Sequence, residues 1–134
     1  MSAVRHIEVG TASDCTMTVT RTASTDARPQ GLVVDADHDL DVHGITAKRV
    51  VLWSDRAPEV VEIRTSEPGA VRFWNVWREN DLVQAWQGES HIDVDDDGED
   101  LGLACHDGHG DRGVDLGVRV AFDRAWTQPE SADE

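Results

Sequence analysis

The chain has no tyrosine, only two cysteines, and no apolar run of membrane-spanning length. Without tyrosine, no phenol can serve as a catalytic acid. Apolar runs far shorter than the ~18 residues of a membrane span predict a chain that does not cross a bilayer. The opening segment from Met1 to Arg5 is not followed by the apolar stretch of a secretory signal, so the expected location is the cytoplasm. In that reducing compartment Cys15 and Cys105 are expected as free thiols in the core.

Basic residues are also scarce. Lys and Arg total 12 against 27 Asp and Glu, a formal charge of −15, and no Lys/Arg run exists. Such a surface repels nucleic-acid phosphates and anionic membranes, so neither is an expected partner. A basic protein, a basic peptide or a metal ion suits the field better. The sequence carries no glycine-rich phosphate loop, no Gly-x-Ser-x-Gly elbow and no His-x-His pair. These absences favour binding over catalysis.

The length of 134 residues suits one domain with one core. The expected domain runs over 1–128, with 129–134 as a frayed acidic tail. Apolar residues fall in short β-type runs. Cys15 to Thr22 alternates strictly, with Cys15, Met17 and Val19 on one face and threonines on the other. Val50–Trp53, Glu59–Arg64, Val71–Arg78, Leu82–Gln87, Ser90–Val94 and Leu101–Cys105 read as further strands. Asn80-Asp81 is a tight-turn signal between two of them. Val114 to Phe122 is expected to point Val114, Leu116, Val118, Val120 and Phe122 inward and Asp115, Arg119 and Asp123 to water. Ala23 to Gln30 reads as a flexible connection. No stretch keeps a 3.6-residue period. About nine to eleven short strands predict an all-β fold, an antiparallel β-sandwich or flattened barrel.

Four segments could carry function. Arg72-Phe-Trp-Asn-Val-Trp-Arg78, with Trp86, places aromatic residues on both faces of one strand. Only one face can fill a two-layer core. Arg72, Trp74, Trp77, Arg78 and Trp86 are therefore the expected ligand-binding residues, through indole stacking and guanidinium contacts. Asp35 to Asp41 puts an acid at every odd position, a row of carboxylates about 6.5–7 Å apart if extended. Asp93 to Asp100 holds Asp93, Asp95 and Asp97 before Gly98, the first half of a calcium loop. The closing glutamate is missing, since Ala104 lies there, so any calcium site would be weak and an acidic turn is the simpler reading. Cys105 to Asp111 offers His106, His109, Asp107 and Asp111, but no second ligand pair of zinc-site spacing.

Val50-Val-Leu-Trp-Ser-Asp-Arg-Ala-Pro58, Phe73-Trp-Asn-Val-Trp-Arg78, Gln84-Ala-Trp-Gln-Gly88 and Leu103-Ala-Cys-His-Asp-Gly108 span roughly residues 50 to 110. Together they resemble a group of small bacterial proteins, and are similar to compact peptide-binding accessory proteins of ribosomal-peptide natural-product pathways. That resemblance implies a non-catalytic domain holding a precursor peptide for a modifying enzyme. The residues themselves lead to a peptide- or protein-binding module, with a homodimer as a way to cover the second aromatic face. Two alternatives stand beside it. One is a cation-assisted carbohydrate-binding module or small glycan-active enzyme. The other is an acidic inhibitor or immunity-type protein that binds a basic enzyme.

Overall fold

A computed structural model describes residues 2–25, 28–85, 90–96, 100–108, 114–126 and 130–131. Its elements are all strands: β1 Ser2–Val4, β2 Ile7–Thr11, β3 Cys15–Ser24, β4 Gln30–Val42, β5 Ile45–Trp53, β6 Val60–Thr65, β7 Gly69–Glu79, β8 Leu82–Gln84, β9 His91–Asp96, β10 Asp100–His106, β11 Leu116–Phe122 and β12 Glu130–Ser131. Every pairing is antiparallel, and the order across the sheet is β1-β9-β10-β11-β3-β6-β4-β7-β2-β12, with β5 added on β4 and β8 on β7. The sheet curls into a flattened, barrel-like sandwich. Among the described residues no helix is long and apolar enough to cross a membrane.

The curl depends on β4. Its first half, Gln30–Ala36, pairs with β7, while Leu40 and Asp41 pair with β6 on the same side. The register against β5 shifts between Asp35 and Leu40. An irregularity at that place bends a strand and lets it change partner. One strand thus serves both walls. Residues 30–34 are buried on both faces, as a central strand requires. Gly31 lies under the Trp53 ring, where a Cβ would stand 2.9 Å from Cε3.

Turn chemistry fixes the hairpins. Asn80 and Asp81 have φ of 53° and 67°, and His43 and Gly44 have 54° and 82°. Two successive positive φ values give the turn whose twist suits a two-residue hairpin.

The curled sheet encloses one main apolar cluster. It includes Val4, Ile7 and Val9, Cys15, Met17 and Val19, Leu32 and Val34, Val61 and Ile63, Val71 and Phe73, and Leu101, Leu103, Leu116, Val118 and Val120. The alternation read in the sequence at Cys15, Met17 and Val19 is the burial pattern of β3. Two positions near β11 differ from expectation. Val114 precedes the strand and is 39% exposed, while Asp115 is 4% exposed rather than solvated. The cause is that Asp115 accepts a hydrogen bond from the Asp107 backbone N–H at 2.9 Å, which turns its carboxylate inward. Both cysteines are free and buried. At the far end, Glu130 and Ser131 pair with Glu8 and Ile7, so the tail read as frayed is tied there.

Candidate functional site

The expected aromatic site lies on the outer face of β5, β4 and β7. Register sets Trp53, Gly31 and Val76 in one row, Val51, Val33 and Trp74 in the next, and Arg49, Asp35 and Arg72 in a third that continues to Glu8 on β2. The third row alternates in sign across four strands. Asp35 accepts from Arg72 Nε at 2.8 Å and from Arg49 Nε at 3.0 Å, and Arg72 also reaches Asp37 at 3.0 Å. Burial alone would raise the Asp35 pKa, but these hydrogen bonds outweigh it and hold the carboxyl below its usual value. Burial likewise works against the Arg72 charge, and its bonds to Asp35 and Asp37 outweigh that too. Within the odd-position row of acids, Asp35 and Asp37 are therefore neutralised by arginines of neighbouring strands. Beyond the bend, Asp39 and Asp41 line a separate hollow of about 330 Å³ with Asp14 and Arg64.

This face is committed to the chain's own packing. The Arg49 guanidinium lies 5.1 Å from the Trp74 ring centroid, and Arg78 lies 4.6 Å from that of Trp53. Arg78 also pairs with Asp55. Trp74 packs with Val33 and Val76, and Trp53 and Ala85 lie against them, which leaves it 9% exposed. Trp77 requires a correction: it points inward and is 1% exposed, so it fills the interior and offers no platform to a ligand. Both tryptophans were read as surplus because two-sided packing on β4 and β7 cannot be seen in one strand's alternation. Trp86 lies outside the described residues.

A more open site lies on the outer face of β9, β10, β11 and β3. A shallow groove of about 430 Å³ is lined by Asp93 and Asp95 on one side, Thr22 and Ala23 on the other, and Gly102, Ala104 and Gly117 between. The small floor residues follow from register. Asp93, Ala104 and Gly117 form one cross-strand row, and Asp95, Gly102, Arg119 and Thr20 the next. Thr22 leans over Gly117 so closely that a Cβ there would be 2.7 Å from Oγ1. Arg119 reaches Asp100 at 3.5 Å.

At one end of the groove three side chains converge. His91 and His106 are cross-strand partners, and Asp93 follows His91 by two residues on the same face. The imidazoles stack with centroids 4.4 Å apart and planes 17° from parallel. Asp93 Oδ2 is 3.2 Å from His106 Nε2 and 3.8 Å from His91 Nε2. His109 and Asp111, grouped with His106 along the sequence, lie outside the described residues. Only the β9–β10 register joins His91 to His106. Of the acids considered for calcium, Asp93 meets two nitrogen donors, Asp95 faces the groove, and Asp97 lies outside the described residues.

Behind His106 the chain is held by buried polar groups. The Asp107 carboxylate is inaccessible and accepts from Arg28 Nε at 2.8 Å and Gln30 Nε2 at 3.0 Å. Asn75 Nδ2 donates to the His106 carbonyl at 3.3 Å. The neighbouring Cys105 thiol is pushed well above its usual pKa by burial, with Asp115 and Asp93 adding to the shift. A thiol so placed is a poor nucleophile. Comparison with known proteins finds no matching family model, no matching curated protein and no matching solved structure.

Proposed function

We propose that the chain is a non-catalytic binding domain that holds an extended, basic stretch of a peptide or protein partner in the groove across β9, β10, β11 and β3. The observation that carries the reading is the groove itself: a floor of Gly102, Ala104 and Gly117 beside a wall of Asp93 and Asp95. Small residues allow a partner backbone to approach closely. The two carboxylates would meet Lys or Arg side chains, and the overall charge of −15 would draw a basic partner in. Arg119 also lines the groove, with Nη1 3.0 Å from where a Gly102 Cβ would stand, and it pairs with Asp100 at 3.5 Å, so the two carboxylates of the wall share the groove with one arginine. The resemblance to peptide-binding accessory proteins would make that partner a precursor peptide.

Titration calorimetry with short Lys- and Arg-containing peptides tests the reading, with charge-reversed and neutral peptides as controls. Binding should favour the basic set and weaken several-fold between about 30 and 300 mM salt. Ala104→Trp, which fills the groove, should abolish it. Equal binding of acidic peptides, or unaltered binding by the Ala104→Trp protein, would refute this placement. A response to oligosaccharides alone would replace it with the carbohydrate reading.

A further inference from the structure

We infer that His91, Asp93 and His106 form a binding site for a first-row transition-metal ion of zinc type. The inference does not rest on the peptide reading, because it uses only the donor set and its geometry.

Pairing places the three residues together on a rigid support. β9 lies between β1 and β10, and β10 between β9 and β11, so both strands are hydrogen-bonded along two edges. His91 and His106 stand opposite one another, and Asp93 stands opposite Ala104 on the same face. The alanine leaves the space above Asp93 open toward the groove.

The separations suit one ion. Zinc holds imidazole nitrogen at about 2.0–2.1 Å and carboxylate oxygen at about 2.0–2.2 Å, so tetrahedral donors lie roughly 3.3 Å apart. Asp93 Oδ2 is already 3.2 Å from His106 Nε2 and 3.8 Å from His91 Nε2. All three donor atoms lie within 4.8 Å of one another. The two imidazoles now stack nearly parallel, so binding requires their planes to rotate apart until both nitrogen lone pairs converge on the ion.

Donor chemistry selects the class of ion. Two imidazoles and one carboxylate suit zinc, copper, iron or nickel, whereas calcium and magnesium prefer oxygen donors throughout. The side chains are 38% exposed at His91, 31% at Asp93 and 21% at His106. An ion held by three protein ligands at such a half-open place keeps a further position for water or another donor. That is an open coordination pattern rather than a closed structural one.

The test is calorimetric titration of zinc into the chelator-treated full chain at neutral pH, with cobalt as a spectroscopic probe. A single equivalent should bind, and cobalt should give the visible absorption of a low-coordinate nitrogen–oxygen site. His91→Ala, His106→Ala and Asp93→Asn should each weaken binding at least about tenfold. His38→Ala and His43→Ala should not change it. In the unsubstituted protein, zinc should shift the imidazole NMR signals of His91 and His106, which gives a readout independent of whether a variant folds. Failure to bind one equivalent, one-equivalent binding that survives loss of His91 and His106, or zinc-induced shifts confined to other histidines would overturn the assignment.

Discussion

Removing the Asp107 carboxylate should be among the most damaging single changes outside the apolar core. Its side chain is wholly inaccessible and accepts from Arg28 and Gln30, whose amide is buried as well. Asp107→Ala takes the acceptor from both donors. Breaking a buried ion pair by deleting one partner costs about 3–5 kcal/mol, and the Gln30 amide, left with only its 3.5 Å bond to the Arg28 carbonyl, adds about 1 kcal/mol. Arg28 keeps 18% exposure and can recover some hydration, and the two losses overlap. The net should be about 3 kcal/mol, a large share of the ~5–15 kcal/mol that stabilises an ordinary domain. With a urea m-value of about 1.5–2 kcal/mol/M, the unfolding midpoint should fall by about 1.5–2 M. Arg28→Ala and the double variant complete a cycle in which the coupling should be about 1.5–3 kcal/mol. A loss below about 1 kcal/mol for Asp107→Ala, or a coupling near zero, would refute the claim that this carboxylate organises the end of β10.

Three further outcomes follow from the geometry. Gly31→Val drives a side chain into the Trp53 ring and should cost about 1–3 kcal/mol by denaturant unfolding, with a change in tryptophan emission. Asp35 has a lowered folded-state pKa, so its contribution is fully present above the unfolded value of about 3.9 and is lost as pH falls through the lower folded value. Asp35→Asn should therefore lower stability by about 1 kcal/mol near neutrality, and the difference should shrink in acid as pH falls through the lowered folded-state pKa. Cys15 and Cys105 are both 0% exposed and should resist a thiol reagent in the native protein, yet both should react at once in denaturant. A fast native reaction would contradict their burial.

What the sequence made legible was whatever a single strand records about itself. Cys15, Met17 and Val19 alternate because one face of β3 is core, and Asn80-Asp81 tolerates the left-handed backbone its turn needs. What it hid depends on a neighbour. The acids at Asp35 and Asp37 look unpaired until β7 supplies Arg72 and β5 supplies Arg49. Trp77 looks surplus until both walls of the fold are drawn. Asp115 looks solvated until Asp107 bends back to it. His91 and His106 are separated by the whole β9–β10 hairpin, and no spacing rule joins them. The groove is equally hidden, because Gly102, Ala104 and Gly117 are small residues on two strands that become a floor only in register.

The partner exchange along β4 has a consequence for how the molecule comes apart. Ladder bonds on Gln30–Ala36 belong to one wall, and those on Leu40 and Asp41 to the other, yet both sit on one unbroken length of backbone. Melting either wall strips that strand and loosens its opposite number. Heat capacity and circular dichroism should therefore trace a single all-or-none transition, with no half-molten species in which one layer outlives the other.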